Sequence, residues 1–291
     1  MKFSVVLVNY ESWPLTLRCM ESLARTGYPD FEVVVVDNEG GPAPEPPYAA
    51  RLVRNPANVG FARACNAGIA ESGGEYVVLV NPDATVSEDF FASLERFLDE
   101  RPDAGVAGPK VLDADGTVQL SARREVGFLS GVLGRTSFLT RLFPESAAVR
   151  RLFPAAGSPE KPAEVDWVSG ACMALRRRML EEIGGLDPRF FMYFEDADLC
   201  RRARAAGWRV FYLPQIAVVH QAGGSSRSSL KAVWRLHKSA FLYHRKHGPR
   251  GPLGLYAIPV AAGLAARALA KLAAGYLGGR IPGAGGRRSR S

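Results

Sequence analysis

The fold is decided by the stretch FSVVLV at Phe3–Val8, a short, unbroken apolar run rich in β-branched residues. Such a run is typical of a strand buried on both faces of a parallel sheet. Similar runs follow at Phe31–Val36 and Tyr76–Val80. Segments with helical spacing, Leu15–Ala24 and Asn58–Ser72, lie between them. This alternation predicts an α/β fold with a doubly wound, mostly parallel sheet.

Beyond Val111 the pattern is less regular. We interpret residues 126–163 as a long excursion with one short helix near 145–152. The remaining predicted elements are one or two strands in Val165–Leu175, a helix at Glu195–Ala205, strands at Arg209–Leu213 and Ile216–Val219, and helices at Ser226–His247 and 253–278.

Composition excludes several classes of protein. The chain has 291 residues, 47% hydrophobic and 23% charged, which is not the composition of a collagen-like, low-complexity or mostly disordered protein. Its four cysteines form no C-x-x-C pair, which argues against a zinc ribbon or a disulfide framework and favours a reducing compartment. The chain lacks G-x-G-x-x-G after a strand and G-x-x-x-x-G-K-[ST] anywhere, which argues against nicotinamide dehydrogenases and P-loop hydrolases.

Charge is distributed unevenly along the chain. Residues 199–291 contain 17 Lys and Arg and no acid, whereas residues 1–198 contain 29 acids and 20 basic residues. Such a basic section is expected to meet anions: nucleic acid, phosphorylated substrates or an anionic membrane surface. The apolar, uncharged run at residues 251–266 is shorter than the roughly 20 apolar residues that span a bilayer, so we expect a cytosolic protein without a transmembrane helix.

Polar side chains follow the predicted parallel strands, where open α/β sheets bind ligands. They are Asn9, Asp37 and the segment Asn81-Pro82-Asp83. These acids have a simpler interpretation as caps of turns or helices. If the ligand is a nucleotide, however, a metal ion must offset its diphosphate charge, and Asp83 is a suitable oxygen ligand for Mg²⁺ or Mn²⁺.

Two further segments contain residues that could perform chemistry. An aromatic run, Phe190–Phe194, delivers Glu195 and Asp196 to the start of a helix. These acids either complement the helix dipole or supply a general base. His220 precedes a loop rich in Gly and Ser, so it is either a structural histidine or part of an anion site.

These segments, taken in order, resemble family-2 inverting glycosyltransferases of the GT-A fold. The resemblance is closest to the bacterial rhamnosyltransferase-like branch that makes cell-surface polysaccharides, and it covers about residues 3–245. It depends on VVLVNY (5–10), VVVDN (34–38), NPANVGFARACNAG (55–68), LVNPDA (79–84), WVSGACMALRR (167–177), FEDADLCRRARAAGW (194–208) and the His220 segment.

The resemblance implies roles for individual residues. Asp37 would bind the nucleoside of a nucleotide-sugar donor, Asn58 and Gly60 would shape the adjoining loop, and Asn66 would help hold that loop. Asn81-Pro82-Asp83 takes the place of the family's D-x-D motif, so Asn81 and Asp83 would belong to the donor site. Asn9, at the end of the first strand, would belong to the same site. Asp83 and His220 would hold the metal. Trp167, Ser169 and Gly170 would line the sugar and acceptor floor, and Asp196 would be the base, with Glu195 as the alternative.

The implied reaction is a single displacement with inversion. The donor is expected to be dTDP-rhamnose or a UDP-hexose, the acceptor a saccharide or lipid-linked saccharide, and the cofactor Mg²⁺ or Mn²⁺. Asn81 departs from the family's D-x-D pattern, and one fewer carboxylate should weaken metal affinity.

The implied domains are a catalytic domain at 1–225, a basic helical extension at 226–278 and a disordered tail at 279–291. The catalytic domain comprises a nucleotide-binding half at about 1–110 and an acceptor half at about 111–225.

The basic extension allows two interpretations. Arg227, Lys231, Arg235 and Lys238 share a helix face, which is either a solvated surface or a peripheral contact at the inner face of the cell membrane. Nucleic acid is not expected, because no recognition motif accompanies the charge.

Two rival functions remain open at this stage. A sugar nucleotidyltransferase is disfavoured because the segment after the first strand, residues 9–13, is not glycine-rich and basic. A non-catalytic binding module on the same fold is disfavoured because Asp37, Asp83, Asp196 and His220 are all present.

Overall fold

The computed structural model describes residues 1–40, 42–124, 160–221 and 230–248. These residues fall into two compact units, one within 1–224 and one within 225–291. The helices predicted near 145–152 and at 253–278, and the tail at 279–291, lie outside the described residues.

The described part of the first unit contains eleven strands and five helices. The strands are β1 (Phe3–Asn9), β2 (Phe31–Asp37), β3 (Arg51–Arg54), β4 (Tyr76–Val80), β5 (Ala84–Val86), β6 (Ala104–Leu112), β7 (Ala122–Arg123), β8 (Ala163–Val165), β9 (Trp167–Val168), β10 (Cys172–Arg176) and β11 (Arg209–His220). The helices are α1 (Trp13–Arg25), α2 (Phe61–Ala70), α3 (Phe90–Glu100), α4 (Arg177–Ile183) and α5 (Glu195–Ala205).

Nine of the described strands form one sheet. Their order is β3-β2-β1-β4-β10-β6-β11-β5, and β8 also pairs with β11. Neighbours β3, β2, β1 and β4 are parallel, as are β6 and β11, whereas β10 runs antiparallel between β4 and β6. The predicted α/β fold with a mostly parallel sheet is therefore confirmed.

Helices cover both faces of the sheet because its strands are apolar on both sides. In β1, Val5 and Leu7 belong to the core layer that includes α1 and α3. Val6 and Val8 belong to the opposite layer, with α2, α4 and α5. Full burial of such a side chain stabilises the fold by about 1.5–3 kcal/mol, so the alternating layers fix the register of the strand.

One prediction about the strands was wrong. The segments Arg209–Leu213 and Ile216–Val219 were expected to be separate strands, but β11 is continuous from Arg209 to His220. Its pairing with β6 shifts register between Leu213 and Ala217, as in a β-bulge, so the strand continues past Pro214. This continuity delivers His220 to the carboxyl edge of the sheet.

Candidate active site

The first part of the site lies at the adjoining carboxyl ends of β1 and β2. Asn9 and Asp37 are register partners, and neither side chain is exposed. Asn9 Nδ2 donates to Glu39 Oε1 at 2.8 Å and, more weakly, to Asp37 Oδ1 at 3.5 Å. Asn9 Oδ1 accepts from Thr16 Oγ1 at 2.9 Å. The buried Asp37 Oδ2 has no hydrogen-bond partner in the described part of the chain, so it is able to accept one from a ligand.

Asn38, directly after β2, connects this end of the sheet to the loop before α2. Its Nδ2 donates to Asn58 Oδ1 at 3.1 Å, and its Oδ1 accepts from Asn55 Nδ2 at 3.1 Å. Gly60 N also donates to Asn58 Oδ1, at 3.0 Å. Asn58 and Gly60 therefore shape the loop beside Asp37. Asn38 directly follows Asp37 in the motif VVVDN (34–38), but that motif does not indicate its contacts with Asn55 and Asn58.

Asn66 has a partner in the structure that the sequence did not indicate. Its Nδ2 donates to the carbonyl of Leu186 at 2.7 Å, and its Oδ1 accepts from Leu186 N at 2.8 Å. This paired bond connects α2 to the segment at residue 186. The side-chain amide of an Asn on a helix can bond to the backbone N–H and C=O of one residue in a neighbouring segment. The spacing of residues in the sequence does not reveal such a contact.

The second part of the site is a carboxylate beside an imidazole. Asp83 Oδ1 lies 3.0 Å from His220 Nε2, and Asn81 Nδ2 lies 3.3 Å from the same nitrogen. Pairing of β5 with β11 aligns Ala84 with His220 and so fixes this contact. The Asp83 side chain is 23% exposed and the His220 side chain 10%, so both remain reachable from solvent.

Gln119 contacts both the backbone carbonyl and the ring of His220. Its Nε2 donates to Asp113 Oδ1 at 2.7 Å and to the His220 carbonyl at 3.3 Å, and it lies 3.5 Å from His220 Nδ1. Gln119 is almost fully buried. No sequence pattern pointed to Gln119, because it lies in an irregular stretch 101 positions from its partner.

The third part of the site surrounds Asp196 in the first turn of α5. Gly170 N donates to Asp196 Oδ2 at 2.9 Å, and Ala197 N donates to Asp196 Oδ1 at 2.7 Å. Burial raises the pKa of Asp196, and these two N–H groups oppose that rise. A Cβ on Gly170 would lie 3.4 Å from Asp196 Oδ2, which is an ordinary van der Waals contact, so residue 170 is a direct neighbour of the carboxylate.

Trp167 and Ser169 lie beside this contact. Trp167 is paired with Arg123 across β9 and β7, and the Arg123 guanidinium lies 4.8 Å from the centre of its ring. Ser169 N donates to the carbonyl of Ser121 at 2.8 Å, and Ser169 Oγ accepts from Ala171 N at 3.3 Å. These bonds hold residues 167–170 in the segment that leads into β10, next to Asp196.

Glu195 has a different environment from Asp196. Its side chain is buried, and its Oε2 has no hydrogen-bond partner among the residues that the structure describes. Burial and the neighbouring Asp196 raise the pKa of Glu195 well above its usual value, so the buried carboxyl favours its neutral form.

The three parts share one edge of the sheet. Asn9 and Asp37 end β1 and β2, Asn81–Asp83 follow β4, and Asn81 N donates to the carbonyl of Ala171 at 2.9 Å. His220 ends β11, which is parallel to β6. Since β10 is antiparallel, the residues before it, including Gly170, lie at this same edge.

Residues 1–239 match the model described as "Glycosyltransferase like family 2". The chain belongs to glycosyltransferase family 2. The family predicted from the sequence is thereby confirmed, and the chain is a glycosyltransferase similar to rhamnosyltransferases.

Relatives of this glycosyltransferase include two rhamnosyltransferases. A Mycobacterium tuberculosis protein named "N-acetylglucosaminyl-diphospho-decaprenol L-rhamnosyltransferase" is 32% identical over 263 residues, covering 82% of each chain. "dTDP-rhamnosyl transferase RfbF" of Shigella flexneri is 22% identical over 206 residues, covering 66% of this chain and 62% of that one.

The fold of this glycosyltransferase is shared with a solved mannosyltransferase. The structure of PcManGT from Pyrobaculum calidifontis, "in complex with GDP-Man and Mn2+", superposes with a TM-score of 0.57 and 20% identity. The match covers 95% of this chain and 79% of that one. At this level of identity the likeness shows the GT-A fold alone.

Within the glycosyltransferase, no group of three or more His, Cys, Asp or Glu side chains in the described residues is arranged to hold a metal. The pair Asp83 and His220 nevertheless fits a divalent cation by its donor chemistry. Mg²⁺ and Mn²⁺ in nucleotide sites commonly take one or two protein ligands, and substrate phosphates and water supply the rest.

The second unit contains the described helix α6 (Leu230–His247). This helix has no acidic residue, and Lys231, Lys238 and Arg245 are exposed. Trp234, between the first two of these, is 68% exposed. Residues 1–40, 42–124, 160–221 and 230–248 include no helix that is both long and apolar enough to cross a membrane.

Proposed function

We propose that this glycosyltransferase moves a rhamnosyl or related hexosyl group from a nucleotide-diphosphate donor to a hydroxyl of a lipid-linked saccharide, with inversion. The preferred donor is dTDP-rhamnose, and a UDP-hexose is second. The proposal is supported by the names of the two rhamnosyltransferase relatives. The observation that carries it is the alignment of Asp37, Asp83 with His220, and Asp196 along one sheet edge.

The donor's nucleoside is proposed to bind at Asp37. Its Oδ2 is buried and has no hydrogen-bond partner among the described residues, which is unfavourable. A base N–H or a sugar hydroxyl of the donor can supply the missing hydrogen bond. Asn9 is already bonded through both of its side-chain polar atoms, so its proposed part is to hold Asp37 and Glu39 in place. Asn58 and Gly60 form the loop beside this nucleoside site. Asn58 Oδ1 accepts hydrogen bonds from Gly60 N and from Asn38, the residue after Asp37.

The donor's diphosphate is proposed to lie at Asp83 and His220. These two residues would hold a divalent cation, preferably Mg²⁺ or Mn²⁺, beside Asn81. When bound, such a cation supplies neutralisation of the negative charge that grows on the leaving diphosphate. Asn81 contributes an amide rather than a carboxylate, so the protein charge facing the cation is lower than in a D-x-D motif.

Asp196 is proposed as the general base. As the acceptor oxygen forms its bond to the anomeric carbon, the hydroxyl proton passes to the Asp196 carboxylate. The bond from the anomeric carbon to the phosphate oxygen breaks on the opposite face, and the nucleoside diphosphate leaves with that electron pair. The N–H groups of Gly170 and Ala197 aim the carboxylate, whereas Glu195 is buried and favours its neutral form.

The acceptor is proposed to lie over Trp167, Ser169 and Gly170, because this segment borders the base. An aromatic face beside a carboxylate is suited to a sugar ring, which has apolar C–H faces and polar edges. A lipid-linked acceptor is supported by the name of the M. tuberculosis relative, which specifies a diphospho-decaprenol.

A peripheral contact with the cytoplasmic face of the membrane would bring the enzyme to such an acceptor. It is supported by α6, where exposed Lys231 and Lys238 flank exposed Trp234 without any acid. We retain the division into a catalytic domain at 1–225 and a basic helical extension at 226–278 as part of this proposal.

The test is an assay of nucleoside diphosphate release. The purified protein is incubated with Mn²⁺, a panel of dTDP- and UDP-sugars, and a short-chain polyprenyl-diphosphate-linked N-acetylglucosamine. We expect release from dTDP-rhamnose that requires the acceptor, and a product whose new linkage has the inverted anomeric configuration by NMR. A protein that binds donors without transferring the sugar would contradict the proposal, as would pyrophosphate release from a nucleoside triphosphate and a sugar 1-phosphate.

A further inference from the structure

The segment before the proposed base has an unusual backbone. Tyr193 has a φ of 71° and Phe194 a φ of 67°, so two consecutive aromatic residues are in the left-handed region. Residues with a Cβ seldom occupy this region, and bulky side chains are disfavoured there more than Asn. The two residues stand directly before Glu195 and Asp196.

Contacts at both ends hold this backbone in place. At one end, Phe61 N donates to the carbonyl of Phe191 at 2.7 Å. Gly60 has a φ of 89°, and a Cβ there would lie 2.7 Å from the same carbonyl oxygen, so this approach needs glycine. At the other end, Gly170 N donates to Asp196 Oδ2 at 2.9 Å.

The direction of α5 depends on this conformation. Phe194 is the residue that precedes the first helical residue, and the N-terminal cap of a helix usually has an extended backbone. With two left-handed residues, the chain turns sharply and places Asp196 against Gly170 while Glu195 is buried. An extended backbone at Tyr193 would send the first turn of α5 in another direction.

We propose that Tyr193 is a positioning residue, whose left-handed backbone sets the Asp196 carboxylate for proton transfer. This inference rests on the proposed function, in which Asp196 is the base. The important property is the backbone conformation and not the phenol ring. A strained conformation held by the surrounding fold at a catalytic carboxylate is a recognised way to fix the geometry of a site.

The test compares two substitutions that both remove the ring. Tyr193→Asn keeps a residue type that tolerates the left-handed region, whereas Tyr193→Val introduces a β-branched residue that does not. We expect Tyr193→Asn to keep kcat within about threefold of the parent, and Tyr193→Val to lower kcat by about tenfold or more. The KM for the nucleotide sugar should stay unchanged in both, because the donor pocket is not altered.

Equal turnover in the two variants, whether high or low, would overturn the inference, as would a raised donor KM that accounts for the loss. If Tyr193→Val shows no cooperative melting transition, Tyr193→Ala replaces it, since Ala also disfavours the left-handed region, and its kcat should fall below that of Tyr193→Asn. Asp196→Asn is measured alongside. Full turnover in Asp196→Asn overturns the base assignment together with this inference, whereas a loss there with equal turnover in the Tyr193 pair overturns this inference alone.

Discussion

At the scale of single residues, the fold treats two adjacent acids differently. Asp196 is partly buried and accepts N–H bonds on both oxygens, whereas Glu195 is buried with one oxygen unpartnered in the described structure. Hydrogen bonds to a carboxylate favour its charged form, and desolvation without them favours the neutral form. The environment therefore favours Asp196 as the ionised member of the pair. The order Glu195-Asp196 in the sequence does not show which of the two acids is ionised.

The first prediction concerns which acid is the base. Asp196→Asn should lower kcat by about 10²–10⁴-fold, which is roughly 3–5 kcal/mol of transition-state stabilisation, because the acceptor proton has no carboxylate to accept it. Glu195→Gln is the matched control. It replaces a neutral carboxyl with a neutral amide and should keep kcat within about threefold. Steady-state kinetics with both substrates measures this, and the reverse pattern would assign the base to Glu195.

The second prediction follows from the raised pKa of Glu195. The folded state holds this proton at pH values where the unfolded chain has released it, so the contribution of Glu195 to the stability of the parent protein should fall as pH rises above about 4.5. Glu195→Gln removes this dependence. The free energy of unfolding of the variant, relative to that of the parent protein, should therefore increase with pH. The increase is at most about 1.4 kcal/mol per pH unit for one proton. Urea unfolding between pH 4 and 8 measures the difference, and parallel curves for the two proteins would contradict it.

At the scale of helices and strands, the sequence predicted elements with clear ends and missed the short strands β3 and β5. The predicted strand at Tyr76–Val80 and the predicted helix at Glu195–Ala205 match β4 and α5, because an unbroken apolar run defines the strand and Gly207 follows the end of the helix. The reversed direction of β10 was not predictable, since Cys172–Arg176 is equally apolar in either orientation and pairing decides it. The site depends on that pairing, because the reversal brings Gly170 to the edge where Asp196 lies.

The third prediction concerns α6 as a membrane-binding element. The parent protein should bind vesicles containing anionic lipid and bind phosphatidylcholine vesicles poorly, since each Lys near an anionic surface contributes about 1 kcal/mol. Replacing Lys231 and Lys238 by Gln should weaken binding roughly 30-fold, which corresponds to about 2 kcal/mol.

Two controls separate charge from packing in this experiment. The double variant with Arg at positions 231 and 238 keeps both charges and should bind like the parent. Trp234→Ala should weaken binding even at raised salt, because a ring inserted at the interface is not screened. Equal sedimentation of the Gln, Arg and parent proteins with anionic vesicles would show that this helix does not bind the membrane.

At the scale of the whole molecule, the charge distribution poses a problem for donor binding. The compact unit within residues 1–224 contains 29 acids against 24 basic residues, and the acids include Asp37, Asp83 and Asp196. A nucleotide sugar carries a negative diphosphate, so the average field of this region repels the donor. The balance therefore favours donor binding that depends on a divalent cation beside Asp83 and His220.

The fourth prediction tests this dependence through stability of the folded chain. A nucleotide that binds only the folded state at a hundredfold excess over its Kd stabilises it by about 2.7 kcal/mol, or roughly 5–10 °C in Tm for a domain of this size. We expect dTDP to give such a shift with Mn²⁺ and a much smaller one with a chelator. Asp83→Asn should give the small shift under both conditions, whereas Asp37→Asn should lose most of the shift even with Mn²⁺, because the nucleoside contact is gone. Thermal unfolding of the three proteins measures this. Equal shifts with and without Mn²⁺ in the parent protein would mean that the acidic region binds the diphosphate without a cation, through its own N–H groups.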